Sequence, residues 1–296
     1  NIQAAHGYSE EQVSALGAIL GASPRTWQGT PEITRHPVSG AQCRERLKAE
    51  GIRYESEANR MACGGRPYMV PISDSVCIDQ FEFPNIPCDF PVTWISTKNA
   101  ALACESVGKR LCDAHEWEGA CAGRVDEAEL AQDLAVYKAT GSRSSMKSTH
   151  NSRREKVFAL PGDVAPADRY DVCGFKAPKN PTCVASEYTN CGTNTYPSGY
   201  FPRCRGQLPV YDIIGNAAEH MNLPLTASQL GSKGGHGMME MKGSWFTFSK
   251  SFTVESTKQY DDCRWRAPDW HGPAAILSGG THSNYHLGFR CCSDRK

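Results

Sequence analysis

Asp212 and Glu219 flank a Gly215–Asn216 turn in the stretch VYDIIGNAAEH, residues 210–220. Carboxylates on either side of a tight turn, with the backbone carbonyls of Gly215 and Ala217 between them, make a set of hard oxygen donors. Such a set suits Ca²⁺, which takes about six to eight oxygen ligands at roughly 2.3–2.6 Å. A hairpin turn carrying two solvated acids is the competing reading. Toward the C-terminus, Ser244, Trp245, Arg264, Arg266 and Arg290 lie on short apolar runs together with His220, His271, His282 and His286. None of these histidines sits at i, i+4 on a helical run or in an HxH pair, so their spacing defines no metal site. Trp245, Trp265 and Trp270 could form an aromatic floor for a peptide or a ring-bearing ligand, or fill a core.

The fourteen cysteines dominate the composition. Their number is even, they are scattered, and no pair reads CxxC, which argues against a zinc ribbon and for a disulfide framework. A disulfide-stapled chain belongs in an oxidising compartment, so a periplasmic or secreted protein is expected. The 296 residues carry 32 basic and 32 acidic side chains. Zero formal charge gives no reason to expect nucleic acid or an anionic membrane as a partner. No run of about 18 apolar residues exists, so no transmembrane helix is expected. The chain starts at Asn1 rather than Met; a processed N-terminus is one explanation and a shortened chain another.

The elements that must position these residues are short. Ser9 caps a helix to Leu20, with Glu10 and Glu11 in its first turn and Gly21 ending it. A second Ser-capped helix spans residues 39–50, stopped by Gly51. A Cys43–Cys63 bridge is one pairing open to the chain, though connectivity is not readable from sequence. Residues 69–72, 76–83 and 91–96 read as strands. Residues 97–108 read as an amphipathic helix with Ala100, Ala101, Cys104 and Val107 inward. Asp113 and Glu116 form a capping-box pattern at the next helix, and a catalytic-acid role for Glu116 or Glu118 is the competing reading. Residues 124–210 show little patterning, and a loop that long is functional or stapled. Asn151 and the run YTNCGTN could line a second cation site. Residues 241–246, 263–267 and 287–292 read as strands.

Four stretches in order carry a family resemblance: KRLCDAHEWEGAC at 109–121, VYDIIGNAAEH at 210–220, KGSW at 242–245 and LGFRC at 287–291. They resemble the motifs of the formylglycine-generating enzyme, or sulfatase-modifying factor, family. The resemblance implies an α+β fold related to C-type lectins, poor in regular structure. Residues 69–296 are expected to form that domain, with 1–68 as an N-terminal helical appendage. It further implies a structural Ca²⁺ site at Asp212, Gly215, Ala217 and Glu219, and a Cys121–Cys291 disulfide from the central helix to the last strand. Cys292 then pairs elsewhere, because a bridge between chain neighbours is strained.

The departure from the family lies in its redox centre. The family's oxidases hold Cu(I) between two thiolates, ligands that select that soft ion. Counted from Ser244, the two thiolate positions fall on Thr247 and Phe252, and no cysteine lies between Thr247 and Tyr260. Copper is therefore not expected, and neither is formylglycine-generating activity. Two readings follow. The first is a binding or regulatory module, for example in secretion-system regulation. Its groove, with candidates Ser244, Trp245, Thr247, Arg264, Arg266 and Arg290, would recognise a peptide, a protein or a peptidic small molecule. The second is a periplasmic maturation enzyme with different oxidative chemistry on the same scaffold, for example in siderophore maturation.

Overall fold

The computed structural model describes residues 2–153, 155, 157, 159–160, 172–173, 182–246, 262–267 and 274–295. The helices are α1 (Ile2–His6), α2 (Glu10–Leu20), α3 (Gly40–Ala49), α4 (Glu57–Ala62), α5 (Thr97–Ser106), α6 (Ala114–Ala122), α7 (Glu127–Thr140) and α8 (Arg143–Arg153). The strands are β1 (Met69–Pro71), β2 (Val76–Asp79), β3 (Arg110–Leu111), β4 (Ala218–Leu223), β5 (Met238–Lys242), β6 (Leu287–Phe289) and β7 (Cys291–Asp294). They form two small sheets, ordered β1-β2-β7-β3 and β5-β4-β6. The first is antiparallel throughout; in the second, β4 runs parallel to β6 and antiparallel to β5.

Local signals start the helices where the sequence places them. Ser9 accepts from the Gln12 amide while the Gln12 side chain accepts from the Ser9 amide, and Ser39 and Gln42 repeat the arrangement at α3. These reciprocal bonds satisfy amides that a helix N-terminus leaves without partners. Ser96 caps α5, whose buried face is Ala100, Ala101, Ala103 and Cys104. At α6, Glu116 accepts from the Asp113 amide at 2.8 Å, while the Asp113 carboxylate turns away to the Gly231 amide and Asn222.

Expectations for four segments are corrected. Residues 124–210 are not wholly irregular: α7 and α8 occupy their first part, with Asp126 capping α7 and Gly141 ending it. Residues 91–96 make only a single bridge, Trp27 to Thr93, and residues 263–267 make no strand. Residues 241–246 are mostly turn, because β5 ends at Lys242. Gly243 has φ +73°, and a Cβ there would meet the Ile213 carbonyl at 3.0 Å. The chain therefore bends out of the sheet at that point.

All fourteen cysteines are among the described residues, and all are paired in seven disulfides. The Cys121–Cys291 pairing is replaced by Cys104–Cys291, Cys112–Cys292 and Cys121–Cys263. Successive side chains of a strand point to opposite faces. Cys291 enters a core with Ala100, Ala101, Cys104, Val107 and Phe289. Cys292 enters the other, larger core with Cys112, Trp117, Cys121 and Cys263. Cys121 and Cys291 thus belong to cores on opposite sides of β7. Cys43 pairs with Cys88 and Cys63 with Cys77, in place of Cys43–Cys63. Both of these bridges cross the 68/69 boundary, and Leu16 of α2 is buried in the same core as α5.

Mass spectrometry of non-reduced proteolytic fragments is expected to recover peptides joined through Cys104–Cys291, Cys112–Cys292 and Cys121–Cys263. A Cys121–Cys291 peptide would contradict the two-core arrangement.

Candidate functional site

The Gly215 loop is built around a buried arginine. Arg290 sits between β6 and β7 with its side chain fully buried. Its Nε and Nη2 donate to the two carboxylate oxygens of Glu219 at 2.6 and 2.7 Å. Nη1 donates to the Asp79 and Gln80 carbonyls at 3.2 and 3.3 Å, and Nη2 also donates to the Tyr211 carbonyl at 3.0 Å. A guanidinium has five N–H donors, and all five are used.

The loop wraps this pair. Asp212 and Asn216 take left-handed backbone conformations, φ 55° and 45°, which Asp and Asn tolerate better than most residues. Asp212 Oδ2 accepts from the Gly199 amide at 2.6 Å. Glu82 accepts from the Ala217 amide and from Asn216 Nδ2, both at 2.8 Å. Ser244 Oγ accepts from the Gly215 amide at 3.0 Å, fastening the β5 turn to the loop.

One arginine therefore faces three buried acids. Burial raises the Glu82 carboxyl well above its usual range, the negative charges of Asp212 and Glu219 add to this, and Arg290 opposes it. Burial pushes Asp212 up to about 7, against the Gly199 hydrogen bond and Arg290. Burial raises Glu219 too, against Arg290. Burial thus favours the neutral form of all three acids, and Arg290 opposes it.

Of the expected calcium ligands, Asp212 and Glu219 are both buried near Arg290. Both oxygens of Glu219 are taken by Arg290, so a cation there would face a guanidinium. The set as folded does not fit Ca²⁺, and no step is derived through it. Of the groove candidates, Ser244, Arg266 and Arg290 are buried. Arg264 is partly buried and pairs with Glu129 at 3.4 Å. Thr247, His271 and Trp270 lie outside the described residues. His220 is buried, with its ring nitrogens against Thr97 Oγ1 and the Ile95 carbonyl.

Among the groove candidates, Trp245 lies at the start of a run of neighbouring rings. It is partly buried and stacks on His286, with centroids 4.3 Å apart and planes at 18°. The rings continue through Tyr285, at 4.8 Å from His286, to Trp94, at 6.5 Å, then to Tyr188, at 5.9 Å, and to His282, at 5.7 Å. Trp245, Tyr285, Tyr188 and His282 are all partly exposed. Trp94 anchors the belt: a Cβ at Gly29 (φ +70°) would sit 2.5 Å from its Nε1, so only glycine allows this approach. Burial lowers the His282 pKa, which leaves that ring neutral at pH 7. Trp265 instead packs on the larger core. Sequence reading missed Glu82, Trp94, Tyr188 and Tyr285. Glu82 had one signal, an acid inside the apolar run of residues 81–83.

The mixed helices, two small sheets and ordered motifs define a formylglycine-generating-enzyme-like domain. The chain belongs to the family described as "Sulfatase-modifying factor enzyme 1-like domain", whose model matches residues 23–295. That match begins within the segment read as an appendage. Among solved structures the chain is similar to PvdO from Pseudomonas aeruginosa, at 14% identity over 92% of this chain and 79% of that one, with a TM-score of 0.33. It is also similar to CarF, at 12% identity over 89% of this chain and 86% of that one, with a TM-score of 0.33. Among curated protein sequences none matches significantly.

Two predictions follow from the buried charges. Arg290→Ala leaves Glu219 buried without a counter-charge and is expected to cost about 3–5 kcal/mol in denaturant unfolding. The double variant Arg290→Met/Glu219→Met is expected to recover most of that loss; equal losses in both variants would mean the pair is not the cause. Asp212 binds its proton more tightly folded, near pH 7, than at its ordinary value of 3.8. Its contribution to stability therefore falls by about 1.4 kcal/mol per pH unit from roughly pH 4 to pH 7, then levels off. Asp212→Asn keeps an acceptor for the Gly199 amide and removes this titration. Its stability relative to wild type is expected to rise between about pH 5 and pH 8; a pH-independent difference would refute the assignment.

Proposed function

We propose that this chain is a binding module on the sulfatase-modifying-factor scaffold, acting in the periplasm or after secretion. It recognises a peptide or protein ligand, or a peptidic small molecule, across the aromatic belt that begins at Trp245. The observation that carries this reading is the state of the cysteines: every cysteine sulfur is committed to a disulfide. A bis-thiolate Cu(I) site needs two unbridged cysteines, and the positions that would supply them are Thr247 and Phe252.

The belt supports the ligand class. Partly exposed Trp, Tyr and His rings offer apolar faces with polar edges, a surface that suits peptide side chains at low entropic cost. The Arg25 guanidinium lies 5.3 Å from the Trp94 ring centre and adds a cation beside the middle of the belt. Seven disulfides suit an oxidising compartment, and among the described residues no helix is long and apolar enough to cross a membrane.

Thiol titration of the denatured, unreduced protein is expected to find no free thiol, whereas two or more would sink the assignment. Phage-displayed random peptides panned on immobilised protein are expected to give enriched binders. Trp245→Ala should then weaken them by about tenfold or more, as loss of a central aromatic anchor does, and Trp245→Phe should retain most of the affinity. Failure to enrich any peptide, or unchanged binding by Trp245→Ala, would remove the belt as the binding surface.

A further inference from the structure

One face of α8 carries a polar series that the reading above does not use. Ser144, Lys147, Ser148, Asn151 and Ser152 recur at i, i+3, i+4, i+7 and i+8, which places them on one side of a helix. With Arg266 and Ala267 they line a cavity of about 540 Å³. That volume lies in the range of small-molecule sites. The cavity shares no lining residue with the aromatic belt.

Its walls are fixed and its chemistry is one-sided. Asn151 clamps the facing segment, donating to the Arg266 carbonyl and accepting from the Arg266 amide, both at 2.9 Å. The side chains of Lys147 and Arg266 are 8% and 2% exposed, unusually buried for long cations that border a cavity. Each is braced by acids. Glu240 holds Lys147 at 2.7 Å. Glu118 holds Arg266 Nε at 3.0 Å, and Asp133 holds its Nη2 at 3.0 Å. His150 sits between Asp133 and Glu118, at 2.9 and 3.7 Å, and Lys242 reaches Glu118 at 3.0 Å. The cations line the cavity, and none of their three acidic partners does. Among the described lining residues there are an ammonium, a guanidinium, a carboxamide and three hydroxyls, with no carboxylate.

Charge alone does not select the ligand, since Lys147, Lys242 and Arg266 are matched by Glu118, Asp133 and Glu240. The lining does. A cation in the cavity finds an ammonium and a guanidinium among the described lining residues and no carboxylate, whereas an oxyanion finds side chains that carry N–H and O–H donors.

We propose that this cavity is a second binding site, which receives an oxyanion group (phosphate, sulfate or carboxylate) on Arg266, Lys147 and the α8 hydroxyls. Calorimetric titration of the full chain with inorganic phosphate, sulfate and acetate, at ionic strength matched with chloride, tests it. Saturable binding of at least one of the three is expected, and which one binds separates a tetrahedral from a carboxylate ligand. Ser148 is exposed, so Ser148→Glu puts a like charge at the cavity wall without disturbing the core. It is expected to weaken binding at least about tenfold, as like-charge juxtaposition does, while Ser148→Ala stays near wild type. Ser152→Glu, one turn further along, repeats the test should the first variant fold poorly. No saturable binding of any of the three anions, or unchanged binding by both glutamate variants, would overturn the proposal. Trp245→Ala is expected to leave anion binding unchanged, so the two sites fail or stand separately.

Discussion

The fold is organised around a guanidinium with no access to water. Arg290 must satisfy five donors inside the protein, and it does so on Glu219 and three backbone carbonyls. Those acceptors come from β4, from the end of β2 and the residue after it, and from the entry to the Gly215 loop. A buried ion pair of this kind is weak evidence of net stability, because desolvation offsets much of the attraction. Its effect here is to exclude alternatives. Glu219 pairs in register with Gly288 of β6, and a one-residue slip of β4 would turn its carboxylate to the other face of the sheet. The guanidinium and the carboxylate would then both be buried alone, so a single register is tolerated.

The second constraint is the division made by β7. Its two adjacent cysteines enter different cores, and each is tied there to a cysteine from a different element. In the chain-entropy view, bridges that close loops of 187 and 180 residues restrict the unfolded chain strongly. They also hold β7 between α5 on one side and β3 on the other, where Arg290 must sit one residue before Cys291. Covalent and electrostatic constraints thus meet at three consecutive positions. That concentration suits a fold with short strands, where ladder hydrogen bonds alone specify little.

Legibility followed the range of the signal. The starts of α2, α3, α5 and α6 were readable because a cap and its partner lie three residues apart. The starts and stops of α7, Asp126 and Gly141, were equally local, but α7 buries only Leu130 and Asp133, so it shows little apolar periodicity. Residues 91–96 have strand composition, yet their partner Trp27 lies in irregular chain and supports one bridge. Disulfide pairing was not legible, because it depends on which face of β7 each sulfur takes. The motif residues at 210–220 were found, but the pairing of Glu219 with Arg290 was not. Its counter-charge lies 71 positions away, and nothing local to the loop announces it.

This bears on what the motifs mean for function. Ser244 holds the Gly215 amide, Glu116 takes a bidentate pair from Arg110, Lys242 pairs with Glu118 at 3.0 Å, and Arg290 closes on Glu219. The residues that carry the family resemblance are, in this chain, the ones that fold it. Their presence reports the scaffold and is silent on oxidase chemistry. The surfaces left for function are those the motifs barely touch: the ring belt, which borrows only Trp245 from them, and the donor-lined face of α8, which borrows none. Activity on such a scaffold can therefore be lost or exchanged without loss of the fold, because the rings and hydroxyls that line these surfaces are not the charges that hold it together.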